Sequence, residues 1–299
     1  MFGRRESVAM AVVNFVDNCR RDLQFYLKWA SNADLRTEMS RNKGLKNTHK
    51  GKRCFIVGNG PSLKQHDLAK LTDEYVFTVN NMIKTDAFNV LKPNFHLFFD
   101  PQFFDFFFSP SPENNRAIAQ IKKSLVDNPD MILFSSYRLK SKSAKVFPEV
   151  NPHYMFNNKM YTPHLKNSSS IHRNTPAFQN VILYAINIAL YMGFEKIYIL
   201  GVDMTGFLDA YEQDLTEAKV GHFYETSKED FQKLVRFKEE NKLDNEFYLK
   251  AFGKTFEQFK LMERKVSSKN AKLFNASDRG ALDVIDRVNY TKLFSNESD

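Results

Sequence analysis

From Arg53 onward, short apolar runs alternate with helical stretches, and this alternation leaves few folds open to the chain. Cys54-Phe55-Ile56-Val57 is apolar without a break and ends at Gly58. A run of that kind suits a strand covered on both faces, as in a parallel sheet, rather than one with a wet face. Similar runs are read at Tyr75–Val79, Phe95–Phe99, Met131–Phe134 and Lys196–Leu200, with helical patterns at Ser62–Leu71, Pro112–Val126 and Pro176–Met192. The expected fold is therefore α/β, a Rossmann-like and mostly parallel sheet with helices on both faces. After Asp203 the regularity stops. Residues 204–224 read as loop-rich and Ser227 to about Lys265 as charged helix, together a lid-like region over about 204–265, before a last strand at Ala271–Phe274.

The chain has 299 residues and a net charge of +8, and the charge is concentrated at one end. Residues 1–53 hold 12 Lys and Arg against 5 Asp and Glu, whereas the remainder holds 31 against 30. A nucleic-acid binder carries its basic residues on the folded body among exposed aromatics, so this distribution argues against nucleic acid as a partner. Within the basic arm, Val8, Val12, Phe15, Val16, Cys19, Leu23, Tyr26, Leu27 and Ala30 recur at three- and four-residue steps. They make the stripe of an amphipathic helix over about Ser7–Ala30. Two readings of it stand: the apolar face packs on the body or on a second subunit, or it rests on an anionic membrane surface. Ser40–Lys52 is polar and basic and reads as a linker, giving an arm of residues 1–52 and a domain of 53–299.

Other classes fall away. Two cysteines, Cys19 and Cys54, make no disulfide framework, and no Cys/His cluster has zinc spacing. No apolar run approaches the ~20 residues that span a bilayer, and the N-terminal stretch lacks a small-residue cleavage site. An intracellular enzyme or binding protein is the expectation.

Ligands of parallel sheets bind beyond the carboxyl ends of the strands, and polar clusters fall at those ends here. Gly58-Asn59-Gly60-Pro61-Ser62 follows the first strand; its glycines permit close backbone approach, and the amides of such a turn favour an anion. It is neither a Walker loop nor Gly-x-Gly-x-x-Gly, and a plain tight turn is the alternative. Asn80-Asn81 follows the second strand and offers donors and acceptors to a base or ribose, or simply makes a turn. Asp100 stands at the tip of the third, before Pro101 and a run of phenylalanines that reads as core. Arg173-Asn174-Thr175-Pro176 leads into the long helix, with Thr175 as its expected N-cap, Pro176 at its first position and Arg173 as a charge for phosphate. Gly201-Val202-Asp203 closes the last central strand. His96, inside a strand, reads as a packed core histidine.

With these clusters in order, the chain resembles the bacterial sialyltransferases that use CMP-sialic acid, and equally the polysaccharide-locus proteins labelled as like 6-hydroxymethylpterin diphosphokinase. The resemblance runs from about Lys52 to the end and rests on Gly58-Asn59-Gly60-Pro61-Ser62-Leu63, Asn80, Phe99-Asp100-Pro101, Arg173-Asn174-Thr175, Gly193-Phe194-Glu195-Lys196-Ile197-Tyr198 and Gly201-Val202-Asp203. It implies nucleotide contacts at Gly58 through Ser62, Asn80, Asp100, Asn174, Thr175 and Asp203. It further implies that Tyr211 steadies the leaving phosphate and that His222, in a Gly-His pair, is the general base. The chain departs from the sialyltransferase pattern at Pro176 and Thr205, where that pattern has a serine and a second phosphate tyrosine, and at Asp100, where it has an asparagine.

The function implied is that of an inverting glycosyltransferase in bacterial surface polysaccharide synthesis, moving a sialic or related nonulosonic acid from a CMP-sugar to a glycan acceptor. No cofactor is expected, and the absence of an Asp-x-Asp pair fits a metal-independent reaction. The alternatives are a Mg²⁺-dependent diphosphokinase that uses ATP and a pterin-like alcohol, and a non-catalytic nucleotide-binding scaffold. Expected partners are a sugar nucleotide, a glycan acceptor (lipid-linked or free) and a second copy of the chain. The expected location is cytoplasmic, with the basic arm at the inner membrane face as an option.

Overall fold

The computed structural model describes residues 8–101, 103–104, 111–162, 169–206, 240 and 244–295. Seven of its strands form one parallel sheet. In chain order they are β1 (Arg53–Val57), β2 (Tyr75–Val79), β3 (Phe95–Phe98), β4 (Ile132–Ser136), β5 (His153–Met155), β8 (Lys196–Leu200) and β9 (Lys272–Asn275), while β6 (Asn157–Lys159) and β7 (Thr175–Pro176) pair separately. The spatial order is β5-β4-β3-β2-β1-β8-β9. Pairing therefore walks outward from β1 as far as β5, then returns to the other flank of β1. Val57 lies in register with Thr78 on one side and with Leu200 on the other, so β1 and β8 end level with each other.

The unbroken apolar runs arise because both faces of the sheet are covered. Cys54 and Ile56 point into one core layer, with Phe77, Phe95 and the helix Val181–Met192. Phe55 and Val57 point into the opposite layer, with Leu63, Leu71, Phe88 and Ile121. Ten of the 12 residues of Val181–Met192 are buried, since it lies between the sheet and the helix Asn245–Ser267. The helix Pro112–Val126 forms as its sequence predicts, capped by Ser111, whose hydroxyl accepts from Asn114 N–H at 3.1 Å.

Three expectations about local structure are corrected. The stretch Ser62–Leu71 is two 3₁₀ turns, Pro61–Gln65 and Leu68–Leu71, broken where His66 is extended and where the Asp67 side chain accepts from Ala69 N–H. The long helix starts at Val181 rather than beside Thr175. Thr175 is instead a strand residue: its N–H and its hydroxyl both donate to Phe156 O, at 2.8 and 3.1 Å. Asn180 is the cap, accepting from Ile182 N–H at 2.8 Å. Residues 40–52, read as a linker, are packed: Asn42 is fully buried and donates to Tyr154 O and Ile171 O, and His49 N–H donates to Met192 O.

The N-terminal helix, α1 (Val8–Ser31), forms as read, but its apolar stripe does not pack on the body. The buried residues of α1 are Asn14, Asn18 and Phe25. Asn18 accepts from Met160 N–H at 2.8 Å and donates to Met160 O at 3.3 Å. Arg21 donates to Asn158 O at 2.8 Å, and Asp22 pairs with Lys159 at 2.5 Å. Meanwhile Val8, Phe15 and Leu27 are 81%, 64% and 63% exposed. Phe25, buried against Leu35, Met39 and Phe156, together with these hydrogen bonds and ion pairs fixes which side of α1 faces inward.

Candidate functional site

The strand order reverses between β1 and β8, and such a switch point opens a crevice at the carboxyl edge of the sheet. The Gly58–Ser62 turn and the Gly201–Asp203 turn leave the two strands side by side there. Their glycines serve chain-to-chain contact. A Cβ on Gly58 would sit 2.5 Å from Gly201 O, and one on Gly60 would sit 2.7 Å from the Asp203 carboxyl carbon. Gly201 has φ +65, a conformation costly for any other residue, and a Cβ there would meet Leu63 at 2.5 Å.

The amides of the first turn are engaged in the same way. Gly58 N–H donates to Leu200 O and Gly60 N–H to Gly201 O, both at 2.8 Å. Ser62 N–H donates to Asp203 Oδ2 at 2.8 Å, and the Ser62 hydroxyl donates to Asp203 Oδ1. Ser62 is fully buried and Asp203 nearly so. Of the four amides in this turn, those of Gly58 and Gly60 are taken by backbone carbonyls and that of Ser62 by the Asp203 carboxylate, so these three are not free to cradle an anion. A third segment closes the arrangement from behind, where Ala281 N–H donates to Asp203 O and the Ser277 hydroxyl accepts from Val202 N–H.

Away from the switch point, side chains bridge successive strand ends. Asn59 Nδ2 donates to Val79 O at 3.4 Å, while its buried Oδ1 has no partner among the described residues. Asn80, with φ 44, accepts from Phe99 N–H. His96 is buried beneath this edge, with Nδ1 2.7 Å from the Thr78 hydroxyl, and burial pushes its pKa down to about 3. The core reading of His96 holds, as does that of Phe103 and Phe104.

Past β4 and β5 a second polar group gathers. The Ser136 hydroxyl donates to Asn157 Oδ1 at 2.6 Å, and Asn157 Nδ2 donates to the Tyr184 hydroxyl at 2.8 Å. The same phenol oxygen accepts from Phe178 N–H at 3.0 Å, and the Tyr184 ring stacks on Phe99. Burial raises the pKa of Tyr184, and the donors from Phe178 and Asn157 act in the opposite sense. Asn157, Tyr184 and Asn180 were missed from sequence. Asn180 carried a readable signal, a capping side chain directly before an apolar run. Asn157 and Tyr184 carried none, because their partners are distant in the chain.

Gly58, Asn59, Gly60, Pro61, Ser62 and Asp203 thus meet at the switch point, with Asn80 and Asp100 at the neighbouring strand ends. Arg173, Asn174 and Thr175 do not join them. Arg173 is exposed beside His172, which bonds Tyr191 in the last turn of Val181–Met192 and feels Lys43 and Lys46. That helix end is opposite the Asn180 end, about 18 Å away at ~1.5 Å per residue. Asn174 bonds α1, donating to Arg21 O and Asp22 Oδ1. Tyr211 and His222 lie outside the described residues.

Among the described residues, no three His, Cys, Asp or Glu side chains gather as a metal cluster, and no helix is long and apolar enough to cross a membrane. The fold is a parallel α/β domain with a topological switch point between β1 and β8, the place where sheets of this kind bind their ligands. The chain belongs to the MptE-like family, described as 6-hydroxymethylpterin diphosphokinase MptE-like, whose model matches residues 29–207. No curated protein matches the chain. Among solved structures it is similar to the MAf glycosyltransferase from Magnetospirillum magneticum AMB-1, at 15% identity and a TM-score of 0.38, over 85% of this chain and 38% of that one. The chain therefore spans well under half of that protein's length.

Proposed function

We propose that the chain is an inverting glycosyltransferase that takes a CMP-activated nonulosonic acid, of the sialic type, as its donor. The observation that carries this reading is the chemistry of the rim. Asn59, Asn80 and Asp100 stand at the strand ends, Asn157 and the Tyr184 phenol gather past β4 and β5, and Asn59 holds a buried acceptor with no protein donor among the described residues. Such an acceptor calls for an N–H or O–H from a ligand, and a nucleobase amine or a ribose hydroxyl supplies one. In the transfer, an acceptor hydroxyl oxygen bonds to the anomeric carbon as the bond from that carbon to the phosphate oxygen breaks, releasing CMP. The hydroxyl proton passes to His222 and Tyr211 donates to the departing phosphate, two roles that rest on sequence resemblance alone.

The family's description favours a second reading, a diphosphokinase using ATP. Pyrophosphoryl transfer relies on Mg²⁺ held by carboxylates. At this edge both oxygens of Asp203 accept from Ser62, and among the described residues no three His, Cys, Asp or Glu side chains gather to hold a metal ion. The donor set fits Mg²⁺ poorly, and no step is derived through the metal.

Thermal shift with CMP, CDP, UDP, GDP and ATP, each with and without Mg²⁺, separates the readings. Stabilisation by CMP regardless of Mg²⁺ supports the glycosyltransferase. A shift confined to ATP with Mg²⁺ overturns it in favour of the diphosphokinase.

A further inference from the structure

The outward face of α1 is apolar and uncovered by any described residue. Val8, Val12, Phe15, Val16, Leu23 and Leu27 are each more than half exposed. With Cys19, Tyr26 and Ala30 between them they span roughly 120° of the helix at ~3.6 residues per turn. Soluble domains seldom leave a continuous apolar face of this kind bare. The inner face explains why the helix cannot simply roll over to bury it. Asn18 is bonded twice to Met160, Asn174 holds Arg21 O, and Lys159 pairs with Asp22.

Charge on the helix is arranged to match. Neither of its acids lies on the apolar face: Asp22 turns toward Lys159, and Asp17 sits between Arg20 and Arg21, at 2.7 and 2.6 Å. Arg20 borders this arc, with Arg36 near the far end and Arg4, Arg5 and Glu6 preceding the helix in sequence. An arc this broad is wider than the seam that a two-helix interface needs. It suits a helix lying in the plane of a bilayer, its apolar side among the acyl chains and its arginines at the headgroups.

We infer that α1 docks the domain flat on an anionic lipid surface. The test uses the full chain in co-sedimentation with vesicles of phosphatidylcholine alone or of phosphatidylcholine and phosphatidylglycerol at a 3:1 ratio, alongside light scattering of the free protein. The expected result is binding to the phosphatidylglycerol vesicles, weakened at least tenfold in the Phe15→Asp/Leu23→Asp variant. The variant should melt at the wild-type temperature, because both side chains point away from the body. Wild-type protein that stays in the supernatant overturns the inference, as does a variant that binds equally well. A dimer that the same variant dissociates, without vesicle binding by wild type, assigns the face to a second copy instead.

Discussion

Replacing Asp203 by asparagine tests whether this carboxylate braces the switch point. In the wild type, two donors from Ser62 converge on it in a buried setting, which makes these the charge-assisted bonds of the site. Hydrogen bonds to a charged group contribute about 1.5–3 kcal/mol each, and two on one carboxylate are not additive. Asparagine keeps one acceptor oxygen and turns an amide donor toward the other Ser62 group. The hydroxyl can rotate to accept from it, whereas the backbone N–H cannot. Asp203→Asn should therefore lower the free energy of unfolding by about 2 kcal/mol. Ser62→Ala, which removes one of the two donors, should cost about 1.5 kcal/mol.

Urea unfolding followed by circular dichroism gives both values, and the double variant completes a cycle. A coupling energy of about 1 kcal/mol or more between the two sites is expected. A carboxylate held in place for a cation behaves oppositely, since neutralising it relieves unfavourable burial of charge and stabilises the metal-free protein. Asp203→Asn within about 0.5 kcal/mol of wild type, or additive with Ser62→Ala, refutes the brace.

Two further outcomes follow from the same geometry. Burial holds the folded-state pKa of His96 at about 3, below its ordinary value of 6.5, so the unfolded chain binds the extra proton between those limits. The stability this contributes is complete above about pH 6.5 and falls with pH by roughly 1.4 kcal/mol per unit; urea midpoints at pH 7, 6 and 5 should drop more steeply for wild type than for His96→Gln, and parallel slopes would contradict the assignment. Asn180→Ala should cost about 1 kcal/mol as a lost helix cap, read as a lowered urea midpoint at unchanged slope.

The sheet was legible because its residues obey one local rule. β1, β2 and β8 are buried on both faces, and their apolar runs coincide with the strands to within a residue. Where two local rules competed, tertiary partners decided. Thr175-Pro176 has the composition of a helix start, yet Phe156 O takes both donors of Thr175 and holds it in a strand. The existence of α1 followed from its periodicity, but its orientation did not. Periodicity marks the apolar side, and the side that packs carries Asn18, bonded to a residue 142 positions away, and Phe25, buried against Phe156. The candidate site divided in the same manner. The turns after β1 and β8 announce themselves by their glycines, but whether their amides face a ligand or a carboxylate depends on Asp203, far along the chain.

This dependence reaches beyond the part of the chain that carries the family match. The match ends at residue 207, yet the support behind Asp203 comes from residues 272–287. β9 adds to the edge of β8, Ala281 N–H donates to Asp203 O, and Gly280, at φ +122, leaves no room for a Cβ against the Asp203 backbone. Arg287 ties the turn together by donating to Ser277 O and Gly280 O. Asp203 is thus gripped on its side chain by the turn after β1 and on its main chain by the turn after β9. The position of Asp203 is therefore set by both segments together. The surroundings of Asp203 are built from strands inside the matched residues together with a C-terminal segment outside them.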